Sequence, residues 1–173
     1  MKKDFDAVVC VMSGSFVQRG APALIDKSLR AKAAVLSGAD LVLELPVTAS
    51  LSSAEGFAAR GVSILSPFCH YLCFGAETAD TDALFSVAKA LLNPGFSHAL
   101  RKHLDRGLSF PAARQAALEA FSCRTDFLGL PNNILAVEYC KAILSQNSSI
   151  QILPILREGS YHDPTPDPAN PSA

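Results

Sequence analysis

The chain has no apolar run long enough to span a membrane, because its hydrophobic stretches are broken by Glu44, Pro46 or Pro67. It also lacks a signal-peptide core, since the charged start "MKKDFD" is followed by too short an apolar segment. No sign of charge is in excess: 15 Lys and Arg stand against 16 Asp and Glu, a net −1. That argues against a generally basic nucleic-acid-binding surface, and leaves open a local patch or a partner domain that supplies one. The five cysteines are odd in number and irregularly spaced, so a disulfide framework is not expected and a reducing, cytoplasmic setting fits. The common phosphate loops, G-x-x-x-x-G-K-S/T and G-x-G-x-x-G, are both absent. In "CHYLC", Cys69 and Cys73 have no second cysteine pair to complete a zinc set, so they read as core residues and no tightly bound metal is expected.

What remains is a hydrophobic, foldable chain. Of its 173 residues 49% are hydrophobic and the mean hydropathy is +0.24, enough for one domain with a real core. "AVVCVM" (7–12) reads as a buried parallel strand. A helix over 27–37 follows, with Asp26 as N-cap, Leu29, Ala33 and Leu36 on one face, and Gly38 as its stop. "DLVLELP" (40–46) is a second strand, and "SSAE" (52–55) has capping-box spacing ahead of an amphipathic segment. "YLCFGAE" (71–77) is a third strand. This βαβαβ alternation predicts an α/β, doubly wound parallel sheet with helices on both faces, pairing the strands near 7–12, 40–45 and 71–75. Beyond it the chain turns helical. One apolar stripe ends at Asn93-Pro94-Gly95, a second ends at Gly107, a third helix starts at Pro111 and a fourth runs over about 133–144. "SIQILPIL" (149–156) is a last strand, and the Pro-rich end "DPTPDPANPSA" (163–173) is expected to be irregular.

Ligands of open parallel sheets lie outside the carboxyl ends of the strands. Residues 13–20, 46–53 and 75–80 should meet there, and Gly14 and Gly75 either admit a ligand close to the backbone or simply turn the chain. "PNNI" (131–134) reads as a helix start capped by Asn132 or Asn133, whose exposed N–H groups also suit phosphate or adenine. Tyr161, His162 and Asp163 follow Arg157 in a short loop that reads as a polar surface turn.

Taken together, "VVCVMSGSFVQRGAPALIDKSLRAKAAVLSGADLVLELP", "FAARGVSIL", "FGAE", "SFPAAR", "PNNILAVEY" and "REGSYHD" resemble, in order, the bacterial tRNA(Met) cytidine acetate ligase family. The resemblance implies a Rossmann-like nucleotidylyltransferase fold. It also implies activation of acetate by ATP to acetyl-adenylate, with transfer of the acetyl group to the wobble cytidine of elongator tRNA(Met). Gly75, Asn132 and Arg157 would line the ATP site, with Mg2+ accompanying ATP. Ser13, Gly14, Gln18 and Arg19 would form a substrate rim. No catalytic residue and no oligomeric state are assigned.

Family members begin with a strand and an H-x-G-H motif, and continue past the end of this chain with a Ser-Ala-Ile-Arg segment. Neither motif occurs here. The expectation is therefore an internal piece: a partial ATP-binding domain over 1–162 and a tail over 163–173, lacking the central first strand. Such a chain should be poorly soluble, oligomeric, or rearranged so that "VVCVM" pairs with "YLCF". A different nucleotidylyltransferase acting on a small metabolite, or a non-catalytic remnant, are the alternative functions.

Overall fold

The computed structural model describes residues 5–18 and 20–157. Arg19 and the Tyr161-His162-Asp163 turn, together with the tail, lie outside the described residues. Strand β1 (Val9–Ser13) pairs in parallel with β2 (Leu41–Leu45), in register from Val9 opposite Leu41 to Ser13 opposite Leu45. Helix α1 (Lys27–Leu36) makes the crossover between them. It starts where expected, because the Asp26 carboxylate accepts the Ser28 N–H at 2.8 Å, and it stops at Gly38, whose φ of +113° favours glycine. The start of the pair is closed by Asp40, whose N–H donates to the Val8 carbonyl at 2.8 Å while its carboxylate accepts the Val8 N–H at 2.9 Å. The apolar face of α1 is poorly covered, with no buried residue and with Leu29 and Leu36 at 59% and 78% exposure.

The short helix α2 (Val47–Ser50) and helix α3 (Ala54–Leu65) follow Pro46. The cap of α3 is Ser53, not the Ser52 that capping-box spacing suggests. Gly56 N–H donates to Ser53 Oγ at 3.4 Å, while Ser52 Oγ turns back to the Ala49 carbonyl at 2.7 Å. Strand β3 (Tyr71–Ala76) then pairs in parallel with β4 (Gln151–Leu156), from Tyr71 opposite Gln151 to Ala76 opposite Leu156. Between them come α4 (Thr81–Leu92), α5 (Pro94–Leu104), α6 (Phe110–Glu119) and α7 (Pro131–Ser145). Pro94 and Gly95 open α5 as well as ending α4. Asn93 serves both helices, its side chain accepting the Gly95 N–H at 2.8 Å, and proline costs nothing at a first helical position.

The α/β reading holds, but the three N-terminal strands do not share one sheet. The sheets are β1–β2 and β3–β4, and β1 is not hydrogen-bonded to β3. The expected rearrangement that joins these two strands is therefore not what the chain does. Side chains connect the sheets instead. Val9 and Val11 pack against the cluster that contains Val62, Leu65, Leu72, Ile143 and Ile150, and the Phe5 ring stands edge-on to Tyr71 at 5.5 Å. A second cluster, built on Leu84, Val87, Phe96, Leu118, Phe127 and Val137, fills the space among α4, α5, α6 and α7. The core thus sits over β3 and β4, and the β1–β2–α1 unit lies at its margin.

This distribution has a measurable consequence. Leu84 is fully buried, so Leu84→Ala should lower the unfolding free energy by about 3 kcal/mol through lost burial and the cavity left behind. Leu29→Ala, on the uncovered face of α1, should change it by less than about 0.5 kcal/mol. Urea denaturation of both variants tests where the core lies, and equal effects would contradict it.

Candidate functional site at the carboxyl ends of β3 and β4

Parallel pairing brings the ends of β3 and β4 together, and three of the residues singled out in the sequence meet there. Arg157 N–H donates to the Ala76 carbonyl at 2.9 Å, which extends the ladder by one bond past β4. Its side chain then lies over Gly75, where an added Cβ would come within 3.3 Å of Arg157 Cγ and Cδ. A side chain here would press on the Arg157 methylenes by a few tenths of an ångström, so this glycine serves close packing and not a turn of the chain. Arg157 is exposed, and no described carboxylate forms an ion pair with its guanidinium.

Asn132 joins this pair through Glu77, one residue past β3. Its Nδ2 donates to Glu77 Oε1 at 2.7 Å. The other oxygen, Oε2, accepts the backbone N–H of Asn133 at 2.9 Å. Asn133 answers in kind. Its Oδ1 accepts the N–H groups of Glu77 at 2.9 Å and Thr78 at 3.0 Å, and its Nδ2 donates to the Phe127 carbonyl at 3.0 Å. Neither asparagine caps α7 in the expected way. The cap position is Leu130, without a side-chain bond, and Glu77 from the neighbouring strand satisfies the free N–H instead. A carboxylate at this end is also favoured by the helix dipole.

The loop ahead of α7 is tied to the same edge. Arg124 grips Asp126 with two bonds, Nε to Oδ1 at 3.2 Å and Nη2 to Oδ2 at 3.0 Å, and reaches Asp80 Oδ2 at 3.0 Å. Asp80 in turn caps α4, its Oδ1 accepting the Ala83 N–H at 3.0 Å. The Arg124 hydrogen bond holds the Asp126 carboxyl below its ordinary range.

The rim residues stand on the other sheet. Ser13 ends β1, and Gly14 is buried against Glu44 of β2, so that a Cβ there would collide with the carboxylate. Glu44 is paired with Lys27 of α1 at 2.7 Å, and Arg30 donates to the Gly14 carbonyl. The two ends of the following loop are tied together, with Phe16 bridged to Pro22 and Ala23 N–H bonded to the Ser15 carbonyl at 2.9 Å. Gln18 is exposed on it.

Sequence reasoning missed two features. One is Glu77, which with Asn133 carries the geometry of the site; Asn133 was singled out only as a possible cap, and the pointer to Glu77 was its place in "FGAE". The other is an ion cluster behind the site. Glu138, 8% exposed on α7, meets Lys141 at 2.8 Å and Arg114 of α6 at 3.6 Å, and Lys141 also meets Glu55 of α3 at 2.9 Å. Burial alone would lower the Lys141 ammonium, but these two carboxylates more than offset it and hold it above its usual value. On the same helix, burial pushes the Tyr139 hydroxyl and the Cys140 thiol each up to about 12. Cys73, read as a core thiol, is exposed, because it occupies an outward position of β3. A cleft of about 320 Å³ lies at the opposite end, near the start of β4. Ser66, Gln146, Asn147 and Ser148 line it, and it offers no charge to a phosphate.

The profile of the HIGH Nucleotidyl Transferase family matches residues 1–173. The chain belongs to that family. Within the HIGH Nucleotidyl Transferase group it is similar to tRNA(Met) cytidine acetate ligase of Clostridium tetani, 44% identical over 171 residues, and to that of Clostridium novyi, 46% identical over 167. These alignments cover 92% and 91% of the chain, which spans 42% of the length of each relative. Among solved structures it is similar to Thermotoga maritima TmcAL in its apo form, with a TM-score of 0.84 and 38% identity over 91% of this chain and 40% of that one. It is also similar to TmcAL bound with alpha-thio ATP, with a TM-score of 0.81 and 36% identity over 90% and 40%. The nucleotidyltransferase fold is thereby shown.

Two outcomes follow for this edge of the nucleotidyltransferase domain. Asn133→Ala removes three hydrogen bonds, one buried and two part-buried, and leaves two N–H groups and a carbonyl without that partner, so it should cost about 3 kcal/mol in urea denaturation. The depressed Asp126 carboxyl contributes stability that is present above the ordinary carboxylate value and lost as pH falls through its lowered folded value. Asp126→Asn should therefore flatten part of the acid limb of stability against pH, below the ordinary carboxylate range. An unchanged acid limb would show that the Arg124 grip does not persist in solution.

Proposed function

We propose that this chain is the nucleotide-binding part of a tRNA(Met) cytidine acetate ligase. The convergence of Gly75, Asn132 and Arg157 at one strand edge carries this reading. It is supported by the likeness to proteins of that name and to a structure bound with alpha-thio ATP. ATP is the substrate at this edge. Gly75 lets the nucleotide approach the backbone, Asn132 hydrogen-bonds it, and the Arg157 guanidinium, which has no carboxylate partner among the described residues, meets its negative charge.

In the first step an acetate oxygen forms a bond to the α-phosphorus, and the bond from that phosphorus to the bridging oxygen breaks. Pyrophosphate leaves with the electron pair, and a positive group near the departing oxygens lowers the barrier. In the second, the exocyclic amine of the wobble cytidine of elongator tRNA(Met) attacks the acetyl carbon, AMP leaves, and one proton is lost. Mg2+ enters as part of the nucleotide substrate. Among the described residues no group of three or more His, Cys, Asp or Glu side chains could hold a metal ion of its own. Ser13, Gly14 and Gln18 mark the rim that receives acetate or tRNA.

Among the described residues no helix is long and apolar enough to cross a membrane. We place the protein in the cytoplasm, with its tRNA substrate and with five free cysteines kept reduced.

The test is nucleotide binding by calorimetry together with acetate-dependent ATP–pyrophosphate exchange. Gly75→Val should displace the Arg157 side chain and obstruct the nucleotide, and Arg157→Ala should remove a charged contact. Each should weaken ATP binding by about tenfold or more, since a hydrogen bond to a charged group is worth about 1.5–3 kcal/mol. Wild-type affinity in both variants would place the nucleotide elsewhere.

A further inference from the structure

We propose that Glu77 is a positioning residue that fixes Asn132 as a hydrogen-bond acceptor toward the nucleotide, so that the site takes a 6-aminopurine over a 6-oxopurine. The proposal rests on the reading that Asn132 contacts the nucleotide.

A side-chain amide has a donating end and an accepting end, and its orientation decides which one a ligand meets. A carboxylate only accepts. Glu77 Oε1 can therefore hold Asn132 only by its Nδ2, at 2.7 Å, which turns Oδ1 away from Glu77. Glu77 itself cannot turn, because Oε2 is held at 2.9 Å by the backbone N–H of Asn133. Nor can Asn133, which is fully buried with Oδ1 on two backbone N–H groups and Nδ2 on the Phe127 carbonyl. Each donor and acceptor in the chain is thus assigned by chemistry, ending at Asn132 on the edge of the site. Among the described residues no group donates to Asn132 Oδ1.

An outward-facing carbonyl cannot meet a phosphate, whose oxygens also only accept. It can meet the exocyclic amine of adenine, and the second Nδ2 hydrogen is left for an adjacent ring nitrogen. That is the bidentate pairing asparagine makes with adenine elsewhere. Hypoxanthine and guanine present an acceptor oxygen in place of the amine, so two acceptors would face one another.

The experiment measures ATP and inosine triphosphate binding by calorimetry on the full chain, with thermal melts to confirm folding. The wild-type protein should prefer ATP by on the order of tenfold or more. In Glu77→Gln, the Asn133 N–H claims the oxygen of the new amide and its NH2 faces Asn132. The Asn132 amide should turn over, and the preference should move toward inosine triphosphate. Adding Asn132→Asp to Glu77→Gln should restore the preference for ATP, because a carboxylate accepts from the introduced NH2 on one side and from the adenine amine on the other. Asn132→Ala should abolish the discrimination with Glu77 intact. A merely structural role for Glu77 would weaken both nucleotides equally. That result, or an unchanged ratio in Glu77→Gln, or a wild-type protein indifferent to the two, would overturn the proposal while leaving the nucleotide site in place. Failure of the wild-type chain to bind either nucleotide would instead overturn the functional reading itself, and the proposal with it.

Discussion

The reciprocal bonding of Glu77 and Asn133 is the constraint on which the site depends. Two residues 56 positions apart exchange hydrogen bonds, one from each backbone N–H to the other's side chain, and the Thr78 N–H adds a third. A fourth bond anchors the Phe127 carbonyl. Buried polar groups are costly when unpaired and rigid when fully paired. Here both polar atoms of the Asn133 side chain are used. One fully buried asparagine therefore fixes the start of α7, the end of β3 and the loop between α6 and α7 relative to one another.

From that fixed point the rest of the edge follows. Asn132 is placed because it is the neighbour of Asn133 and is held by the same carboxylate. Arg157 is placed because β4 is in register with β3, and the missing side chain of Gly75 gives its methylenes a floor. The positive group is thus laid along the sheet edge without a described acid to neutralise it, beside an amide whose polarity is set from behind. The opening loop is built by a separate logic. Glu44, Lys27 and Arg30 brace Gly14 from β2 and α1, and none of these residues belongs to the Asn133 network.

The parts of this arrangement that the sequence disclosed are those governed by local rules. Asp26, Gly38 and the apolar runs marked α1 and its strands within a residue or two, because caps, left-handed glycines and buried strands have local signatures. The resemblance of "FGAE", "PNNI" and "REG" brought Gly75, Asn132 and Arg157 to notice, and the fold puts them at one edge. Asn132 and Asn133 looked interchangeable as caps, since both are asparagines before an apolar helix. Only tertiary structure distinguishes them, by supplying Glu77 from a strand. Ser52 and Ser53 pose the same problem at α3, and the choice between them depended on where α2 ended. The division of the strands into two sheets was not legible in the βαβ pattern, and only the resemblance, by which a central strand is lacking between "VVCVM" and "YLCF", pointed to it. A βαβ pattern specifies that neighbours run parallel, but not that every strand finds a partner on both sides. Glu138 gave no periodic signal, since its burial rests on Lys141 and Arg114, one of them on another helix.

The division of the sheet changes how the molecule can deform. Within each pair the strands are locked by backbone ladders, and sliding one against the other would break several hydrogen bonds at once. Between β1–β2 and β3–β4 the described connection is made of aliphatic and aromatic side chains, Val9 and Val11 against Val62, Leu65, Leu72, Ile143 and Ile150 and Phe5 against Tyr71, and such contacts are non-directional. Along that boundary a substitution acts through packing alone: truncating Val9 or Val11 removes side-chain contact between the "SGSFVQRG" unit and the edge that carries Arg157 and leaves every described strand-to-strand hydrogen bond in place.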